Sequence, residues 1–318
     1  VDIKTGLARY RFPLAMGALT AAFYGTIALA PLYLVPLQIA ATNRGHHTMR
    51  SSSVFAALLI TVWQIVLLSR AGAMSAGTLA LGLSAPAAMI LALVLMALPR
   101  FERIPFAIRA LVGGALASLV CLPSFIAVAG DEDVKSIFMA AFSSASSAVG
   151  AEVPDTEALW SAIKTGVASS FGAIVFIFLF ASAWIGSRLG SFRRTIADGD
   201  IPTLKTYHLP VPLVWFLLGA WAALLVNRFY PSFVLSAVAL NATTALSICY
   251  GVQGLAIANA LAERAGLAPV ARLIMPLVLI LLVASGIAGF IAIGVLALLG
   301  TLETWIPFRT ATSKGDTP

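Results

Sequence analysis

Between Glu157 and Arg188 the chain carries a single charged residue, Lys164, in a run of aliphatic, aromatic and small side chains. A helix of about 20 apolar residues crosses the hydrocarbon core of a bilayer at 1.5 Å per residue. A stretch this long and this poor in charge has few other destinations. It is also not alone. Of the 318 residues 60% are hydrophobic and 10% are charged, whereas a soluble domain carries about a quarter charged residues on its surface. The composition implies an all-α, polytopic transmembrane helical bundle. The short alternating strands of a membrane barrel are not found.

Eight runs read as spans: Pro13–Ala30, Val54–Ser69, Ala76–Leu98, Ala107–Ala129, Ala158–Leu189, Val211–Val226, Ser232–Leu261 and Val270–Leu299. Together they make residues 1–318 a single integral membrane domain of about eight spans. The first run follows a basic head, Lys4, Arg9 and Arg11, and reads as a retained span rather than a cleaved leader. Pro31 and Pro36 then remove backbone donors and bend any helix that contains them. A broken or re-entrant helix is therefore expected near residues 30–42, where irregular backbone must be buried in protein or face a water-filled cavity.

Orientation follows from the basic residues. Arg44/Arg50, Arg100/Arg103/Arg109, Arg188/Arg193/Arg194/Lys205 and Arg264/Arg272 fall in alternate loops, which the positive-inside rule places in the cytoplasm. Residues 190–209 form the main basic loop. The loop 130–157 holds Asp131, Glu132, Asp133, Glu152, Asp155 and Glu157 against one base, Lys135, and is expected outside. A short helix on the outer surface and a lid over an outward pocket both suit it. The basic head also prefers the cytoplasm, which requires the Pro31/Pro36 region to return the chain to its starting side. The polar tail, residues 303–318, comes out external if the eighth run crosses once. These features place the chain in the cell inner (cytoplasmic) membrane as a multi-pass protein.

The segment "LNATTALSICYGVQGL", residues 240–255, is the most polar part of an apolar run. Ala237, Asn241, Thr244, Ile248, Gly251, Leu255 and Ala258 share one helical face, and Gln253 lies three residues from Tyr250. Small and hydroxylated positions let helices approach closely in lipid. Asn and Gln both donate and accept, so they suit a neighbouring helix and a polar ligand equally. Two readings stand. Asn241, Tyr250 and Gln253 line a pocket for a small solute, with Gln64 and Lys164 as further ligand-binding candidates, or these side chains only fix helix packing. Lys164 can also snorkel toward the interface, with Glu157 as counter-charge. Close-packing positions are expected at Ala18 and Ala22 in the first span, Gly186 and Gly190, Gly251 and Gly254, and Gly286 and Gly289.

Asn241, Tyr250, Gln253 and Gly254 form a mid-helix Asn followed by Tyr-x-x-Gln-Gly. The closing segment "LLGTLETWIPFR" adds Gly300, Glu303 (where Asp is more usual), Phe308 and Arg309. With these residues the chain resembles the YybS-like family of bacterial membrane proteins, over about its last eighty residues. That family is distantly similar to the substrate-binding subunits of energy-coupling-factor vitamin transporters. The resemblance implies a small-solute pocket and a membrane partner subunit with an ATPase, to which the Ala18/Ala22 face would dock.

Other chemistries find little here. No GxxxxGK[ST] loop cradles a nucleotide, so any transport must draw on an ion gradient or an ATPase partner. His46 and His47 lack further metal ligands nearby, and His208 is distant in sequence; no metal, cofactor or catalytic residue is assigned. A net charge of +7, from 20 Lys and Arg against 13 Asp and Glu, is scattered between spans and does not form a nucleic-acid surface. The expected partners are the lipid bilayer, a small-molecule solute and a membrane subunit. Enzyme activity is left open, because a membrane transferase can work with one or two loop carboxylates. The competing function is a scaffold or assembly factor.

Overall fold

The computed structural model describes residues 3–26, 28–71, 75–148, 155–191, 203–266 and 287–309. The described residues are helical with no strand, and ten α-helices fall in two compact units, residues 1–199 and 200–318. Unit 1 contains α1 (Ile3–Gly25), α2 (Val35–Arg44), α3 (His46–Ala71), α4 (Ala76–Met96), α5 (Phe106–Ala129), α6 (Glu132–Ala148) and α7 (Thr156–Ser191). Unit 2 contains α8 (Leu213–Phe229), α9 (Phe233–Arg264) and α10 (Ile287–Leu302). Five segments are long and apolar enough to cross a membrane: His46–Arg70, Ala76–Met96, Phe106–Ala129, Glu157–Ser191 and Phe233–Arg264. Leu213–Phe229 and Ile291–Leu302 are shorter apolar helices. Part of the expected span Val270–Leu299 lies outside the described residues.

The break after the first helix is present. α1 ends at Gly25, a 3-10 turn covers Ala30–Leu32, and α2 runs for 10 residues. Arg44, at the end of α2, stacks over the Phe12 ring at 4.1 Å. The chain has thus returned to the level of Phe12, where the apolar part of α1 begins, as the charge pattern required. α2 is buried through Val35, Pro36, Leu37, Gln38 and Ala40, packed against α1, α3 and α7. Irregular backbone survives there because protein surrounds it. Gly45 permits the next turn: its φ of 80° and ψ of 178° let α3 begin one residue after α2 ends, a combination that a Cβ disfavours.

α3 then runs parallel to α1, since Gly17 meets the Ser52 carbonyl and Ala56 while Gly25 meets Trp63. Inside the unit α1 packs through buried Gly17 and Thr20, and Ala18 and Ala22 lie on its exposed side. Ser75 caps α4 by accepting from the Thr78 amide at 3.1 Å, and Thr78 returns the bond to the Ser75 amide. α5 and α7 are antiparallel, with rings paired at Phe125–Phe171 and Phe106–Phe180. On α7, a Cβ at Gly186 would lie 2.5 Å from the Gln38 Cβ, and one at Gly190 would lie 2.7 Å from the Thr42 Cβ. This pair therefore carries the α2–α7 contact. The acidic loop folds as α6, whose start is capped by the Asp131 carboxylate accepting from the Asp133 and Val134 amides. Lys135 pairs with Glu157 and Phe138 lies 6.0 Å from Trp160, which ties α6 to α7.

In unit 2 the Asn227 side chain accepts from the Ser232 amide at 2.8 Å and closes the α8–α9 hairpin. α9 and α10 cross where two glycines face one another. A Cβ on Gly254 would overlap the Leu296 carbonyl, and one on Gly300 would overlap the Tyr250 carbonyl. Gly251, expected to act likewise, has no described atom within 4 Å of its Cβ position. Gly286 and the packing of Gly289 lie outside the described residues.

The start of the polar tail returns to the end of α9. Arg264 donates to the Phe308 carbonyl at 2.9 Å, and Arg309 donates to the Tyr207 carbonyl at 2.9 Å. Groups in hydrogen-bond contact cannot stand on opposite faces of a core about 30 Å thick. Residues 303–309 therefore lie on the same side as residues 205–207 and the end of α9.

The glycine crossing predicts opposite signs for two substitutions. Gly254→Val forces the helices apart and should lower stability by about 1–3 kcal/mol. Gly219→Ala, where nothing lies within 4 Å, should raise it by about 0.5–1 kcal/mol through helix propensity. Thermal unfolding of the detergent-purified variants measures both.

Candidate functional site

The polar groups of unit 2 gather along the last third of α9. Two segments run beside it, one non-helical and one formed by the end of α10 and the residues after it. Residues 203–210 descend from Lys205, whose ammonium lies 2.8 Å from the Glu263 carboxylate, to Leu209, whose amide donates to Gln253 Oε1 at 2.9 Å. Residues 300–309 follow the same stretch, from the Gly300 carbonyl, which accepts from Gln253 Nε2 at 3.1 Å, to Phe308 and Arg309 at Arg264. Four-residue spacing also lets Asn259 donate to Glu263 at 3.4 Å.

Arg309 binds the two segments together. Its Nε and Nη2 donate to Glu303 Oε1 and Oε2 at 2.5 and 2.6 Å, and its Nη1 donates to the carbonyls of Tyr207 and Lys205 at 2.9 and 3.3 Å. The Glu303 side chain is 9% exposed. A planar five-donor fork serves this geometry and a lysine does not. With both carboxylate oxygens occupied, the pair acts as a fixed wall.

Between the segments lies an open cleft of about 460 Å³, lined by Lys205, Thr206, His208, Leu209, Val211, Gln253, Glu303, Thr304, Pro307 and Arg309. Its size falls in the range of small-molecule sites. The lining can donate and accept hydrogen bonds through two hydroxyls, an imidazole and a carboxamide, beside a neutralised Arg–Glu pair. Burial, reinforced by the Arg309 charge and opposed by Glu303, holds the His208 pKa below its ordinary value. Among the described residues no group of three or more His, Cys, Asp or Glu is placed to hold a metal ion.

The residues singled out from the sequence separate in space. Gln253 borders the cleft and is 4% exposed. Tyr250 sits one turn away at the glycine crossing, 1% exposed, and its hydroxyl has no hydrogen-bond partner. Asn241 is 12 residues from Gln253, or about 18 Å along the helix axis, and its side-chain amide donates to the Ala237 carbonyl of its own helix at 2.8 Å. Nine residues from Asn241 to Tyr250 make two and a half turns, so the two point to opposite sides of α9. Gln64 and Lys164 belong to unit 1. Gln64 donates to the Tyr24 hydroxyl, joining α3 to α1. The Lys164 ammonium lies 6.0 Å from the Trp160 ring centroid, one turn back on α7, while Glu157 is taken by Lys135.

Lys205, Thr206, His208, Thr304 and the Glu303–Arg309 pair were not read as one site from the sequence. The pair falls within the closing segment that carried the resemblance, but nothing in linear spacing joins residue 205 to residue 309.

Two measurements follow. Gln253→Leu leaves the Leu209 amide and Gly300 carbonyl buried without a partner and should cost about 1–3 kcal/mol for each group in denaturant unfolding. For His208, the folded imidazole takes up a proton less readily than the unfolded one. Stability is therefore constant above the ordinary histidine range near 6.5 and declines as pH falls through that range toward the lowered folded value. His208→Gln should flatten this slope in unfolding-temperature profiles.

Residues 17–297 match the family described as "Predicted membrane protein (DUF2232)". No curated protein and no solved structure matches the chain. The match runs from the middle of α1 to the Leu296 contact of α10 and takes in most of the sequence, so the chain belongs to this family of membrane proteins.

Proposed function

We propose that this multi-pass membrane protein is transport-type, resides in the inner (cytoplasmic) membrane, and binds a small polar solute in the cleft of unit 2. One observation carries the reading. In a chain with 10% charged residues, imidazole, hydroxyl, carboxamide and ion-pair groups converge on a single cleft of small-molecule size. The likeness of the Asn241–Gly254 and Gly300–Arg309 segments to the YybS-like family, and through it to transporter substrate-binding subunits, points the same way. A chain of this kind would take its energy from an ion gradient or from a membrane partner with an ATPase. The exposed Ala18 and Ala22 face of α1 suits such a partner.

A second reading, a non-transporting scaffold, draws support from Gln253, whose carboxamide already serves both Leu209 and Gly300. The two are separated by thermal unfolding of the purified full chain against vitamins, nucleobases, amino acids, lipid head groups and common ions. A ligand that binds only the folded protein adds about 2.7 kcal/mol at a hundred times its Kd. The expected result is a shift from one chemical class that disappears in Thr304→Ala, with the unliganded transition unchanged. Absence of a shift from every compound transfers the weight to the scaffold.

A further inference from the structure

α2 begins inside unit 1. Its 10 residues span about 15 Å, half of a hydrocarbon core of about 30 Å. Arg44 marks its polar end, so Leu34 and Val35 lie near the mid-depth of the spanning helices. A helix start leaves its first amides without intrahelical acceptors, and here that start is enclosed: Leu34 is 0% exposed, Val35 4% and Leu37 0%. No side chain caps Leu34. Among the described residues the amides of Leu34, Val35 and Leu37 have no backbone acceptor, whereas the next one, Gln38, donates to the Leu34 carbonyl at 3.2 Å. Pro36 contributes no donor. Buried amides without acceptors are rare, because each costs free energy comparable to a lost hydrogen bond.

A second observation comes from a different helix. Gly186 and Gly190 press on Gln38 and Thr42, so the ridge of α7 at four-residue spacing faces α2. One step back along that ridge, toward the start of α2 and the 3-10 turn that α7 also contacts, is Ser182. Ser182 is 0% exposed, and its hydroxyl has no hydrogen-bond partner. By that register a buried hydroxyl without a partner comes to the helix N-terminus that holds the three amides, where the aligned peptide dipoles favour negative charge. α2 contains no Asp or Glu, and Glu157 stands 25 residues from Ser182 at the far end of α7, so neither helix supplies the missing acceptor.

We propose that the start of α2 is an intramembrane binding site for the oxyanion of a small solute, a carboxylate or a phosphate, held by the Leu34, Val35 and Leu37 amides and the Ser182 hydroxyl. The site is independent of the unit 2 cleft and does not require it. Placed at mid-depth on a half-helix, it has the position at which broken transporter helices hold anionic substrate groups.

The test uses the purified full chain in detergent, titrated at constant ionic strength with sodium acetate, glycine, glutamate and inorganic phosphate, with thermal unfolding as the readout. The expected result is a saturable rise in Tm with at least one probe. Acetate or the amino acids identify a carboxylate site, and phosphate alone identifies a phosphate site. Ser182→Ala should weaken the apparent affinity about tenfold, the loss of one hydrogen bond to a charged group, with the unliganded Tm unchanged. Ser182→Cys keeps the side-chain volume but only a weak donor, and serves if the alanine variant does not fold. His208→Ala, which alters only the cleft, should leave the titration intact. No shift with any probe, a shift indifferent to both Ser182 variants, or a shift abolished by His208→Ala overturns the proposal.

Discussion

Every backbone amide and carbonyl in an apolar surrounding must find a partner, and that requirement governs the described residues of this molecule. It explains why the described residues are helical, since a helix bonds its own backbone wherever it lies. It also identifies the places of interest as those where the helix stops short. One is the start of α2, held within unit 1 by α1, α3 and α7. The other is along α9, where the carbonyls and amides of residues 203–210 and of the end of α10 with the residues after it are taken up by Gln253, Arg264 and Arg309. Along α9, side chains from elsewhere in the chain do what the helix cannot, whereas at α2 three buried amides find no such partner among the described residues.

With the backbone served, contact between helices falls to shape. Lipid tails are as apolar as leucine, so burial from water does not draw spanning helices together. Glycines set the closest approaches instead, at Gly17, Gly186 and Gly190 in unit 1 and at Gly254 with Gly300 in unit 2. Between α5 and α7 a glycine also sets a close approach, since a Cβ on Gly114 would lie 3.1 Å from the Phe176 Cα. Beside it Phe106, Phe176, Phe180 and Trp184 form a run of tilted and edge-on rings.

Much of this was legible in the sequence, and what was missed has physical causes. The spans declared themselves through length and charge. The hairpin at α2 followed from two prolines and from the need to bring Arg44 back to the side of the basic head. Gly186 and Gly190 were readable as a pair, whereas Gly251 and Gly254 look alike in one dimension and only the path of α10 separates them. Gln253 announced itself as an inward polar residue, but its partners Leu209 and Gly300 are 44 and 47 residues away. No periodicity reports such distances. The side of the tail hung on how often the last apolar run crosses, which its length does not reveal. The Ser182 hydroxyl gave no signal at all, since serine is common in spanning helices and its isolation depends on where α2 begins.

α9 has 32 residues, a rod of about 48 Å against a hydrocarbon core of about 30 Å. Its two ends meet that excess differently. The first turns carry exposed Phe233, Val234 and Val238, while the last are clad in ion pairs and backbone hydrogen bonds from two other segments. Apolar surface can slide within lipid, but a charged collar cannot sink into it. The collar therefore acts as a stop against the head groups, and a thinner or thicker bilayer is accommodated by tilt and by movement at the opposite end of the helix. Membrane thickness becomes a coordinate of the protein, measured from Arg309.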